Sequence, residues 1–175
     1  MTWTPKYTIT KEILSYLTKI ESIKNSFEDK PLSPVLLSSL HQSAKITSTH
    51  YSTKIEGNHL SLKQVENALY TVNKSAQSYQ GHDEKEVNAY YDALNYMEKH
   101  LEENAPFSER FIQKIHTLVE GSKKTIPYRD AQNAIYDSSD GSLVYLPPET
   151  KDVPVMMKEL VLWVKENIDI LPTPV

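Results

Sequence analysis

Apolar residues recur at three- and four-residue steps along most of this chain, and only around residues 132–146 does the period fall to two. Thr10 is placed to cap a first helix whose stripe is Ile13, Leu14, Leu17 and Ile20, ending near Glu28. Lys30-Pro31-Leu32-Ser33 reads as a linker. Ser33-Pro34 is then an N-cap followed by proline at the first helical position, where a missing N–H does no harm. In the second helix Leu36, Leu37, Leu40, Ala44, Thr47, Tyr51 and Ile55 share one apolar face. Gly57 and Asn58 stop that helix, because both tolerate the left-handed backbone that closes a helix end.

Ser61-Leu62-Lys63-Gln64 is a capping box flanked by Leu60 and Val65 as a hydrophobic staple. The helix it opens is expected to reach about Asn73, with Val65, Ala68, Leu69 and Val72 inward. The polar stretch Lys74 to Gly81 reads as a mobile loop. Asp83-Glu84-Lys85-Glu86 forms a second capping box before a helix with Val87, Tyr90, Tyr91, Leu94 and Met97 on one side. Ser108 caps the next, with Phe107 and Ile112 as staple, Phe111, Ile115, Leu118 and Val119 as core, and Gly121 as terminator. The period-two runs are Gln132–Tyr136 and Ser142–Leu146, joined by the polar turn Asp137–Gly141 and ended by Pro147-Pro148, and they predict a β-hairpin. Val153-Pro154 opens a last helix through Met157, Leu160, Val161 and Val164 to about Asn167. The expected fold is mainly α, with about six helices and one hairpin.

Composition narrows the class. The 175 residues suffice for one compact unit with a core. A net charge of −4 without any Lys/Arg run gives no basic surface for nucleic acid. With no cysteine there are no disulfides or thiolate metal sites, and the usage fits a reducing compartment, so a cytoplasmic location is expected. No apolar run is long enough to cross a membrane, and Met1–Pro5 lacks the features of a signal peptide.

Candidate chemistry concentrates at the end of the second helix. Ser52 and Glu56 are four residues apart, one above the other on the last turn. A carboxylate at that end meets the partial negative charge of the helix dipole, so Glu56 is expected to want a cation, ideally an arginine that pairs bidentately. Other candidates have plainer explanations. His116, among Ile112, Ile115, Leu118 and Val119, reads as a core-edge histidine. Asp137 and Asp140 read as turn residues bonding their own backbone, not metal ligands. Asp83, Glu84 and Glu86 read as a charged helix start, and most of the eleven tyrosines as half-buried helix positions. No catalytic or metal-binding residue is nominated.

Ser52-Thr53-Lys54-Ile55-Glu56-Gly57 resembles the inhibitory motif (Ser/Thr)-x-x-x-Glu-(Gly/Asn) of Fic proteins, which transfer AMP from ATP to hydroxyl groups of target proteins. Later segments resemble the same family in order. Glu86-Val87-Asn88 and Tyr91-Asp92-Ala93-Leu94 are similar to the helix after the inhibitory segment, and Ile115-His116 to the start of the Fic core. Tyr128-Arg129-Asp130-x-Gln132-Asn133-Ala134-Ile135 is similar to the approach to the flap. Tyr145-x-Pro147-Pro148 and Val153-Pro154-x-Met156-Met157-x-x-Leu160-x-x-Trp163 are similar to its exit and the following helix. The resemblance spans residues 34–171. It implies that Glu56 is the carboxylate that pairs with a catalytic-motif arginine and fills the space of the ATP γ-phosphate, with Ser52 and Gly57 as its motif partners. It also implies that the flap residues Ala134, Ile135, Tyr136, Leu143, Val144 and Tyr145 dock a target segment as an added strand. A hairpin that merely packs on its neighbours is the other reading of those residues.

One departure from the family governs the functional expectation. The family signature His-Pro-Phe-x-(Asp/Glu)-Gly-Asn-Gly-x-x-Arg supplies the base, the Mg²⁺ ligand and the phosphate-cradling turn. No His-Pro pair occurs here, and none of the six histidines has that context. The chain is therefore expected to be a Fic-like bundle truncated before the catalytic helices, inactive alone and binding no cofactor itself, with ATP and Mg²⁺ implied only for the complete family protein. Residues 1–80 are expected to carry the inhibitory helix, and residues 81–175 the first part of the Fic core with its flap, as one compact unit. Expected partners are a target protein at the flap and a C-terminal Fic fragment or a second copy at uncovered apolar faces of helices 34–56 and 108–120. No membrane or nucleic acid is expected. The alternative is a non-enzymatic inhibitory module that offers Glu56 in trans to a separate Fic core.

Overall fold

The computed structural model describes residues 4–28, 32–71 and 81–168. In chain order these form α1 (Lys11–Glu28), α2 (Pro34–Ile55), α3 (Leu62–Thr71), α4 (His82–Glu102), α5 (Glu109–Val119), β1 (Ile135–Tyr136), β2 (Leu143–Tyr145) and α6 (Val153–Asn167). The expected end of α3 at Asn73 and the loop from Lys74 lie outside the described residues, up to Gly81. No described helix is long and apolar enough to cross a membrane.

The chain divides into two compact units. One comprises residues 1–25, 107–109 and 127–175; the other comprises residues 26–106 and 110–126. The 80/81 boundary expected from the sequence falls inside the second unit.

In the second unit α2, α3 and α4 pack pairwise. Its core is Ile46, Val65 and Val87, with Leu60 and Leu69 against it. Val65 and Val87 are fully enclosed, and burying such side chains supplies about 1.5–3 kcal/mol each. The capping box that opens α3 forms as expected: Ser61 N donates to Gln64 Oε1 at 2.9 Å and Gln64 N to Ser61 Oγ at 3.4 Å. At the start of α2, Ser33 Oγ accepts from Leu36 N at 3.2 Å.

The leucine face of α2 is exposed. Leu36, Leu40, Tyr51 and Ile55 are 47%, 50%, 57% and 87% accessible, and Leu37 is also exposed. The buried residues are Ile46, Thr49, His50 and Thr53, which share a different stripe. The reason lies in α4, whose polar positions match that stripe. Gln42 Nε2 donates to Tyr91 Oη at 2.9 Å, and Lys45 Nζ donates to Asn95 Oδ1 at 2.9 Å and pairs with Glu98. Thr49 and Thr53 satisfy their hydroxyls on α2 itself, at Lys45 O and Thr49 O, so they can be enclosed without loss.

In α5 the buried residue is Thr117, whose Oγ1 donates to Gln113 O at 2.6 Å and accepts from Ile126 N at 3.0 Å. His116, expected at the core edge, is exposed. Gly121 ends the helix at φ +61°, with Gly121 N on Leu118 O and Ser122 N on Thr117 O.

In the first unit the α1 stripe is more open than expected, with Ile13, Leu14 and Ile20 exposed. The hairpin is antiparallel and pairs Ile135 with Tyr145 and Tyr136 with Leu143, with an irregularity between Ile135 and Tyr136. Both strands are shorter than predicted. Ala134 lies outside β1, and Gln132 holds the hairpin exit with its side chain. Its Nε2 donates to Pro147 O at 3.1 Å and its Oε1 accepts from Thr150 N at 3.3 Å. In α6, Val161 is buried.

Candidate functional site

The last turn of α2 closes as a Schellman motif. Gly57 N donates to Lys54 O at 3.1 Å and Asn58 N to Thr53 O at 3.1 Å, with Gly57 at φ +105°. That φ strains any residue with a Cβ, although a Cβ there would meet nothing within 4 Å. Glu56 is the C-cap residue and is exposed. Among the described residues no cation pairs with its carboxylate. It faces a cleft of about 480 Å³ that is also lined by Thr53, Lys85, Glu86, Tyr90 and Glu120. A carboxylate at a helix C-terminus meets the negative end of the helix dipole, and Lys85 is the lysine in the lining of its cleft.

Ser52, one turn back, is half-buried, and its Oγ accepts from Tyr90 Oη on α4 at 2.9 Å. The structure thus gathers Ser52, Glu56 and Gly57 on one turn and ties that turn to α4.

Sequence reasoning missed the residues that hold this end of α2. Asn58 was expected only to stop the helix, yet its side chain is buried, at 5% accessibility. Its Nδ2 donates to Asp83 O at 2.9 Å and to Glu86 Oε2 at 2.8 Å, and its Oδ1 accepts from Leu60 N at 3.0 Å. His59 N donates to Asp83 Oδ2 at 2.9 Å. The expected Asp83–Glu86 capping box does not form. Gly81 is the N-cap of α4, and Asp83 sits inside the first turn with its carboxylate turned to the Asn58 segment. Asn58 directly follows the helix-closing Gly57 in sequence, but nothing there shows that its side chain is buried. The carboxylates of Asp83 and Glu86 lie close to His82, and each accepts one hydrogen bond from the Asn58–His59 segment.

The flap belongs to the other unit. Ile135, Tyr136, Leu143, Val144 and Tyr145 are all exposed, and Ala134 is half-buried. The turn is held by Asp137 Oδ1, which accepts from Ser139 N at 2.7 Å, and by Asp140 Oδ1, which accepts from Ser142 N at 2.8 Å. The hydrogen bonds from Ser139 and Ser142 hold both carboxyls below the ordinary carboxylate range. Gly141 supplies the positive φ of +71°. At the base, Arg129 donates to Pro148 O. Tyr128 Oη donates to Glu109 Oε2 at 2.9 Å, and partial burial, with that bond and the carboxylate charge, pushes the phenol up to about 12.

No family model and no curated protein sequence matches the chain. Among solved structures it is similar to a Fic domain containing signaling protein from Bacteroides thetaiotaomicron. The TM-score is 0.70 at 21% identity, over 89% of this chain and 58% of the other. The likeness is one of fold: a Fic-like helical architecture with one small antiparallel hairpin. The chain spans a little over half the length of that structure.

Proposed function

We propose that this chain is the regulatory, flap-bearing portion of a Fic-type protein adenylyltransferase, with Glu56 as its inhibitory carboxylate. The observation that carries the reading is the position of Glu56: a C-cap carboxylate, open to a cleft, without a counter-charge among the described residues. The fold likeness supports the context, and the site supplies the function. In this reading an arginine of a catalytic segment enters beside α2 and forms charge-assisted hydrogen bonds with Glu56. The arginine is then unavailable to a nucleotide phosphate. Ser52, held by Tyr90, and Gly57, closing the helix, keep the carboxylate at the mouth of the cleft. The exposed leucines of α2 are the face such a segment, or a second copy of the chain, would cover. The exposed hairpin edge takes a target segment as an added strand.

ATP and Mg²⁺ belong to the complete enzyme in this reading. The four glycines, at positions 57, 81, 121 and 141, are scattered along the sequence. No step is assigned to either cofactor in this chain.

A second reading offers Glu56 in trans to a separate Fic core. It rests on the same exposed C-cap carboxylate, which a separate chain could reach as well as a joined segment. Labelled ATP separates the two. The chain alone should label no target above a heat-killed control. Added to an independently folded Fic core, it should suppress labelling if it acts in trans and have no effect if it acts only in cis. Labelling by the chain alone would overturn both readings.

A further inference from the structure

We propose that Asn58 is a positioning residue for Glu56: its buried side-chain amide locks the end of α2 to the first turn of α4 and so sets where the inhibitory carboxylate stands. The inference rests on the inhibitory reading of Glu56 and adds a residue to it. The Asn58 amide makes three hydrogen bonds, with both Nδ2 hydrogens given to α4, at Asp83 O and Glu86 Oε2, and Oδ1 accepting from Leu60 N. Its own N–H completes the Schellman closure on Thr53 O. The next residue repeats the attachment through His59 N and Asp83 Oδ2. Residues 58–60 are therefore fixed from both sides, two residues beyond a carboxylate that has no such anchor.

A helix end left to itself frays, and its last side chains sample many positions. Inhibition through a paired arginine needs the carboxylate at one place, because an ångström of misplacement forfeits most of an oriented interaction. The Asn58 clamp removes that freedom. Asp83 suits the task, since a carboxylate is favoured in the N-terminal turn of α4, and Glu86 stands just beyond that turn.

The test uses the 175-residue chain and the same chain joined to a Fic catalytic segment, each with Glu56→Gly, Asn58→Ala and both. In the chain alone, Asn58→Ala should speed amide exchange at Gly57, His59 and Leu60 about tenfold or more, because a buried network loses its central donor. Glu56→Gly should leave exchange at His59 and Leu60 unchanged. In the joined chain, Asn58→Ala should raise AMP transfer in the same direction as Glu56→Gly, and the double variant should gain nothing beyond Glu56→Gly. Activation by Glu56→Gly with none by Asn58→Ala would overturn the positioning role while leaving the inhibitory reading standing. No activation by Glu56→Gly would overturn both. If Asn58→Ala fails to fold, Glu86→Ala removes only one of the two acceptors of Nδ2 and is held to the same outcomes. A general loss of stability would instead speed exchange throughout the unit, at Ile46 and Val87 as well, and would overturn the positioning role.

Discussion

Tyr90 Oη donates to Ser52 Oγ at 2.9 Å, so the hydroxyl one turn before Glu56 is committed to α4. The pair is partly buried, and a hydrogen bond of this kind contributes about 0.5–1.5 kcal/mol. Tyr90→Phe and Ser52→Ala should each destabilise the chain by about that amount in urea melts, and the double variant should cost clearly less than their sum. Additive losses would mean that the two groups do not act on each other.

The exposed stripe of α2 gives a contrast in stability. Leu36→Ser and Leu40→Ser should each shift stability by no more than ~0.5 kcal/mol, since half-exposed side chains leave little behind. Val65→Ala, at an enclosed position, should cost about 1–3 kcal/mol. Equal losses at the three sites would mean that the leucine face is covered in solution.

The hairpin turn should respond to acid. Asp137 and Asp140 are held below the ordinary value of 3.8, so their ionised forms stabilise the turn. That contribution is complete above the ordinary value and is lost as pH falls through the lower folded values. The amide resonances of Ser139 and Ser142, which donate to these carboxylates, should move with midpoints below 3.8. Midpoints at or above that value would show that the bonds do not persist in solution.

Much of this architecture was legible because caps and periods are local. Ser33-Pro34, the Ser61–Gln64 box and the glycine stops at Gly57 and Gly121 act on their own neighbours, and the chain obeys them. The buried stripe of α2 was not legible. The helix's leucines outweigh Thr49, His50 and Thr53 in hydrophobicity, but Gln42 and Lys45 find matched polar partners nearly fifty residues away on α4. Such complementarity is invisible until both helices are placed. The same holds at the candidate site. Ser52, Glu56 and Gly57 form a contiguous pattern, whereas the Asn58 clamp depends on Asp83 and Glu86. Those two acids mimicked a capping box in sequence and serve a different turn in the fold.

The most direct test of the account is AMP transfer by this chain joined to a Fic catalytic segment, with Glu or Gly at position 56. Glu56→Gly should leave the melting of the 175-residue chain within ~0.5 kcal/mol of the parent, because an exposed carboxylate without a counter-charge is lost cheaply. In the joined protein it should raise the rate of AMP transfer roughly ten- to a hundredfold, the scale of one charge-assisted hydrogen bond to an arginine. A joined protein that is active yet no faster with glycine at position 56 would contradict the inhibitory role of Glu56.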